Sequence, residues 1–369
     1  MVETRTVLIC TAGFGEGHNS AARSLAGALR AVGVAVAVVD LFEDAAPVTG
    51  AFYKWFYRQL INYQPGLWRW FYERARTADF RALWWDRFVG VGGALARRLE
   101  MHRPRAVVFT YPIYPYFMEQ LGGDVPRPEA VWMAVTDSIT IHPVWLQGKV
   151  DRLYVTDEYS RAVALAGLAE RVPVEVSGFP VAAAFAGFGA RADEADLGEL
   201  KVLYFATTAS GHVGRTLRGL LEHLPVGARL TVVLGRHGGR LGPVVAEWRE
   251  AFPRVQVEVI GWTDEVPRLL MEHDVVISKA GGATVHECFA AGVPVVVNYI
   301  IPGQEEGNVE LLEKLGCGLR SLAAEETGPL LAAMAAGGGL QAMRRAMAGQ
   351  RRPDGAWRIA QDIRQALGC

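Results

Sequence analysis

The sequence predicts an α/β chain of two doubly wound domains, each a parallel sheet with helices on both faces. Short β-branched runs alternate with Ala/Leu/Arg-rich helical stretches, and the runs are continuously apolar, as strands buried on both faces must be. With 369 residues, the chain is also long enough for two domains. A first series of strands is expected at 7–12, 34–39, 106–110, 130–136, 152–155 and 174–176. A second follows at 202–206, 230–234, 257–260, 275–278 and 295–298. Between the two series, residues 181–200 are rich in Ala, Gly and acids and poor in strand formers, which marks a linker. The expected domains are therefore 1–190, with an insert at 50–98, and 195–350, followed by a closing helix in 351–369.

Composition narrows the class. The chain is 51% hydrophobic and 21% charged, which excludes a disordered or fibrous protein. A net charge of −1 provides no global basic field, so no nucleic-acid partner is expected. Cys10, Cys288, Cys317 and Cys369 are scattered without a C-x-x-C pair, which argues against a zinc site or disulfide framework and fits a reducing cytoplasm. The chain runs directly into Val7-Leu8-Ile9 without a signal-peptide pattern, and it has no uncharged apolar run of 18 residues.

The insert is unusual. Residues 50–98 carry Phe52, Tyr53, Trp55, Phe56, Tyr57, Tyr63, Trp68, Trp70, Phe71, Tyr72, Phe80, Trp84, Trp85 and Phe88. Lys54, Arg58, Arg69, Arg74, Arg76, Arg81 and Arg87 are interleaved with them. Two readings stand: a helical pair packing its aromatics on the core, or a surface for the membrane interface, where Trp, Tyr and Arg together suit the headgroup boundary.

The loop after the first strand reads Gly13-Phe14-Gly15-Glu16-Gly17-His18-Asn19-Ser20 and opens a helical run. Backbone N–H groups around Gly15 and Gly17 can face an anion or developing negative charge there. A dinucleotide fingerprint is the rival, because Asp40 ends the second strand where a ribose-binding acid would sit. That fingerprint needs glycine where this chain has His18. At the mouth of a helix, His18 is a candidate neutral base, or else a helix cap.

The second domain carries the more specific pattern. Lys279-Ala280-Gly281-Gly282-Ala283-Thr284-Val285-His286-Glu287 follows a strand, and Ile301-Pro302-Gly303-Gln304-Glu305-Glu306-Gly307-Asn308 follows the next. Gly281 and Gly282 let backbone approach a diphosphate, Glu287 can accept two ribose hydroxyls, and Gln304 and Glu305 can hold sugar hydroxyls.

These segments, S-K-x-G-G-x-T-x-x-E and P-G-Q-E-E-x-N, resemble the family 28 glycosyltransferases of GT-B fold. Within that family they resemble the branch of monogalactosyldiacylglycerol synthases and processive diacylglycerol glucosyltransferases. The 11–22 loop and the T-D-x-x-x-x-H-x-x-W pattern of Thr136, Asp137, His142 and Trp145 are similar to that branch too. The resemblance implies two Rossmann-like domains facing an interdomain cleft, and inverting transfer of a hexose from UDP-Gal or UDP-Glc to a membrane lipid hydroxyl such as diacylglycerol. It places the diphosphate on Gly281, Gly282 and Thr284, the ribose on Glu287 and the sugar on Gln304 and Glu305. Ser210 and Gly211 occupy the other phosphate-loop position, and Trp262 lies in the turn bordering the uracil. His18 is the first choice of base, with Asp137 and His142 as alternatives or as groups orienting it.

The UDP-sugar is a substrate, and no cofactor or metal is implied, since GT-B enzymes use helix dipoles and backbone amides to carry the UDP charge. The implied partners are a UDP-hexose, a lipid acceptor and an anionic membrane surface, with the enzyme peripheral on the inner face of the cell membrane. Alternatives are GlcNAc or hexose transfer to a prenyl-linked or other hydrophobic acceptor, a non-hydrolysing UDP-sugar epimerase, and a non-catalytic UDP-sugar sensor.

Overall fold

Val7, Leu8, Ile9 and Cys10 are all closed to solvent and divide alternately between two cores. This is the signature of a strand at the centre of a sheet covered on both sides. The structure, a computed structural model, describes residues 6–45, 47–78, 90–168, 172–187, 199–206 and 208–368. The chain divides into two units: unit 1 is Met1–Ala183, Pro302–Gly307 and Asp354–Cys369, and unit 2 is Ala184–Ile301 and Asn308–Pro353.

Unit 1 begins with β1 (Thr6–Thr11), α1 (Glu16–Ala31), β2 (Ala35–Asp40), α2 (Leu41–Ala45), α3 (Pro47–Tyr63), α4 (Pro65–Ala75) and α5 (Val91–His102). It continues with β3 (Ala106–Phe109), α6 (Tyr114–Gln120), β4 (Ala130–Ala134), β5 (Arg152–Val155), α7 (Glu158–Gly167) and β6 (Val174–Val176). The sheet order is β2-β1-β3-β4-β5-β6, parallel throughout. One face of the sheet, with Leu8, Cys10, Val107 and Phe109, packs on Leu95 and Leu99 of α5 and on Trp145. The other face, with Val7, Ile9 and Val108, packs on Leu25 and Leu29 of α1 and on Ile359 and Ile363 of the C-terminal helix Gly355–Ala366. That terminal helix is thus part of unit 1 and shares the covering of this face with α1.

Unit 2 comprises β7 (Lys201–Phe205), α8 (Ser210–His223), β8 (Arg229–Val233), α9 (Gly238–Ala251), β9 (Gln256–Ile260), α10 (Val266–Glu272), β10 (Val275–Lys279) and α11 (Gly282–Ala291). After these come β11 (Val295–Tyr299), α12 (Glu306–Lys314), β12 (Gly318–Arg320), α13 (Thr327–Ala336) and α14 (Gly339–Ala348). The order is β12-β11-β10-β7-β8-β9, again parallel. The three-residue β12 was not expected from the sequence. Its one residue facing the core is Gly318, whose position leaves a Cβ no room beside the Val295 carbonyl.

Among the described residues, the insert carries α3 and α4 and runs into the start of α5. Pro65 opens α4 at a position where the missing N–H costs nothing. Its aromatics split between the two readings offered above. Tyr57, Trp68 and Tyr72 are half-buried, whereas Phe52, Trp55, Phe56, Tyr63, Trp70 and Phe71 are exposed. Phe80, Arg81, Trp84, Trp85, Arg87 and Phe88 lie outside the described residues. Among those described, no helix is long and apolar enough to cross a membrane.

Candidate active site

In an open parallel sheet, ligands bind at the carboxyl ends of the strands, where the strand order reverses. In unit 1 that point lies between β1 and β3, and the loop after β1 delivers His18 to it. His18 Nδ1 is 2.7 Å from the Thr110 carbonyl oxygen and 3.0 Å from the Thr136 hydroxyl. A carbonyl can only accept, so Nδ1 carries the proton and Nε2 keeps its lone pair. Burial lowers the His18 pKa to about 4, against the opposing pull of the Thr110 carbonyl. The imidazole is therefore neutral near pH 7, the state a general base requires.

Asp137 sits just beyond β4. Its Oδ2 accepts the Trp145 indole N–H at 2.7 Å, and the Trp145 ring lies 6.0 Å from that of His18. Burial raises the Asp137 pKa to about 6, and the indole hydrogen bond works the other way. No hydrogen bond from Asp137 orients His18 among the described residues; Thr110 and Thr136 hold the ring.

His142 has both ring nitrogens engaged. Nδ1 accepts the Val144 amide at 3.2 Å, and Nε2–H donates to the Tyr72 carbonyl at 3.3 Å. Its ring also stands edge-on to Tyr72, with centroids 4.7 Å apart. Both nitrogens of His142 are thus engaged in this structure, and the ring anchors α4.

Asp40 is equally committed. Oδ2 accepts the Gly13 amide at 2.8 Å and the Lys54 ammonium at 2.9 Å, and Oδ1 accepts the amides of Phe42 and Glu43 at 3.0 and 3.1 Å. A carboxylate with all four positions filled cannot also hold a ribose. The dinucleotide reading loses its acid, and the glycine loop gains a brace from α3. A side chain at Gly13 would meet Lys54 Nζ at 2.7 Å, whereas Gly15 is exposed and has open space around it.

Between Asp137 and His142 the backbone is strained. Ile139 has a φ of 52°, a left-handed conformation that a β-branched residue rarely takes, and the Thr140 amide closes onto the Ser138 carbonyl at 2.6 Å. The Ser160 hydroxyl accepts the Ile139 amide at 2.9 Å and holds the turn. Gly307 lies against this turn so closely that an added Cβ would stand 2.0 Å from the Ser138 oxygen. Residues 302–307 thereby fold with unit 1, placing Gln304 beside Tyr57 and burying Glu305.

In unit 2 the reversal lies between β7 and β10, and the two loops there open α8 and α11. Neither helix has a side-chain cap: Ala209 precedes α8, and Gly281 precedes α11. Their first-turn amides, including those of Gly211 in α8 and of Gly282 and Thr284 in α11, are free of side-chain capping and suited to an anion. Asn308 Nδ2 donates to the Ala280 carbonyl at 2.9 Å and steadies the glycine turn. Glu287 is half-buried on α11, and Trp262 is exposed in the turn after β9.

Sequence reasoning did not single out Thr110, Ser160, Lys54 or Tyr57 for the site. Only a polar residue ending a buried strand (Thr110) and a lysine within an aromatic run (Lys54) carry any signal.

Residues 18–181 match the monogalactosyldiacylglycerol (MGDG) synthase family, and residues 237–347 match the glycosyltransferase family 28 C-terminal domain. Over 337 residues the chain is 24% identical to a processive diacylglycerol beta-glucosyltransferase of Bacillus pumilus, covering 86% of this chain and 84% of that protein. MurG of Acinetobacter baumannii aligns with a TM-score of 0.62 at 14% identity, over 98% of this chain and 99% of that one. A putative UDP-N-acetylglucosamine 2-epimerase from Listeria monocytogenes aligns with a TM-score of 0.60 at 12% identity, over 99% and 97%. At such identities the structural likeness concerns the fold alone, and that fold is GT-B.

Proposed function

For this chain, a UDP-sugar-dependent hexosyltransferase of glycosyltransferase family 28 with an MGDG synthase domain, we propose an inverting transfer of glucose or galactose to the free hydroxyl of diacylglycerol. The observation that carries this reading is the His18 tautomer: Nδ1–H is committed to Thr110, and Nε2 is left as an acceptor. In a single displacement, His18 Nε2 takes the proton of the acceptor hydroxyl as that oxygen bonds to the anomeric carbon. The bond from the anomeric carbon to the UDP oxygen breaks on the opposite side, and UDP leaves.

The leaving diphosphate is held by the amides opening α11 at Gly281, Gly282 and Thr284, and by those opening α8 at Ser210 and Gly211. Glu287 binds the ribose hydroxyls, Trp262 borders the uracil, and Gln304 and Glu305 bind the hexose. Asp137, above its pKa of about 6, is a carboxylate beside Trp145. It is the alternative acceptor of the proton.

The acceptor lives in a bilayer, and returning it to water costs about 0.8 kcal/mol per methylene. The enzyme therefore works at the membrane, peripheral on its cytoplasmic face, with the outer sides of α3 and α4 against the lipid. Trp55 and Trp70 are 54% and 59% exposed, and Arg69 and Arg74 are exposed beside them, which supports this placement. The deciding experiment is UDP release from UDP-Glc, UDP-Gal, UDP-GlcNAc and UDP-GlcA against vesicles carrying diacylglycerol or a prenyl phosphate. Release with a hexose donor and diacylglycerol is expected. Release only with the prenyl phosphate, or a donor epimerised without release, overturns the reading.

A further inference from the structure

A hydroxyl of the helical insert reaches the side chain of Gln304, in the loop proposed to hold the sugar. Tyr57 OH donates to Gln304 Oε1 at 2.8 Å, and both residues belong to unit 1. The direction of that hydroxyl is set by ring packing. Tyr57 stands edge-on to Phe14 of the glycine loop, with centroids 5.9 Å apart, and edge-on to Trp68, with centroids 5.1 Å apart. The loop is fixed one residue earlier as well. Gly303 has a φ of 81° and lies against the Tyr72 ring, where an added Cβ would stand 2.5 Å from Cδ1. Burial beside Glu305 keeps the Tyr57 phenol protonated, so it remains a donor.

A primary amide has two unlike ends, and a donor at Oε1 settles which one is occupied. With Oε1 engaged, the Nε2H2 group is the end still able to meet a ligand. We propose that Tyr57 is a positioning residue for Gln304, turning its amide so that Nε2H2 is offered to a hydroxyl oxygen of the transferred hexose. This rests on the reading of Gln304 as a sugar contact.

The test compares Tyr57→Phe, Gln304→Ala, their double variant and Gln304→Glu, using UDP-glucose and UDP-galactose with diacylglycerol vesicles. UDP affinity is followed by calorimetry, and thermal melts confirm folding. Tyr57→Phe is expected to lower kcat/KM about 5- to 10-fold, the scale of one neutral hydrogen bond, while UDP affinity stays within about 2-fold. In the Gln304→Ala background it should cost nothing further. Gln304→Glu should be as impaired as Gln304→Ala, because a carboxylate accepts from Tyr57 but donates nothing to the sugar. An equal loss in both backgrounds, or a matching loss of UDP affinity, assigns Tyr57 a merely structural role and overturns the proposal. Impairment in Gln304→Ala with a silent Tyr57→Phe overturns the positioning role alone. A silent Gln304→Ala overturns the sugar contact itself, and the proposal with it.

Discussion

His18 Nδ1 lies 2.7 Å from the carbonyl oxygen of Thr110, which joins the loop after β1 to the end of β3 across the point where the sheet order reverses. The contact fixes both the orientation of the ring and its tautomer. With a pKa near 4, the ring is unprotonated over most of the accessible pH range. A base acts only when unprotonated, so kcat/KM should rise with pH through about 4 and then level off. Asp137, with a pKa near 6, would place the same rise about two units higher. A pH–rate profile on the free enzyme separates them, with the acid limb expected near 4. Replacing His18 with Ala should reduce kcat by about two to four orders of magnitude, and UDP affinity should hold. Near-normal turnover in that variant moves the role to Asp137.

The nucleotide should depend on Glu287 and not on a divalent ion. Glu287→Ala is expected to weaken UDP binding by about 1.5–3 kcal/mol, the scale of hydrogen bonds to a charged group. Calorimetry with and without EDTA should give the same affinity for the unmodified protein. Unchanged affinity in the variant would remove Glu287 from the ribose.

Lys54 joins α3 to the glycine loop through Asp40, and both side chains are nearly closed to solvent, at 9% and 11% exposure. Lys54→Met leaves the Asp40 carboxylate without its cation, and the expected loss of stability is about 3–5 kcal/mol. Urea unfolding followed by circular dichroism measures it. A loss below about 1 kcal/mol would mean that the amides of Gly13, Phe42 and Glu43 suffice to hold the carboxylate.

Binding to liposomes should rise with the fraction of anionic lipid and fall with added salt, because basic side chains near a charged surface contribute about 1 kcal/mol each and are screened by ions. The double variant Trp55→Ala, Trp70→Ala should lose most of the binding while keeping its melting temperature, since both rings are exposed. Co-sedimentation that ignores lipid charge and both tryptophans would detach the insert from the membrane.

Much of this protein was legible in its residues. The 11 strands expected from apolar runs all appear, within one or two residues at either end, because a strand buried on both faces must be continuously apolar and the pattern is local. The Gly281-Gly282 turn, too, is a local pattern, a strand leading through glycines into an uncapped helix. Three things were not legible: Asp40 as a brace for Gly13 and Lys54, His142 as an anchor for Tyr72, and the folding of residues 302–307 with unit 1. Each depends on which groups meet across long separations in sequence. A carboxylate or imidazole reads the same in a sequence whether its hydrogen-bonding positions are filled or open. Only the packed chain decides that: among the described residues His18 Nε2 makes no hydrogen bond, whereas both nitrogens of His142 are engaged.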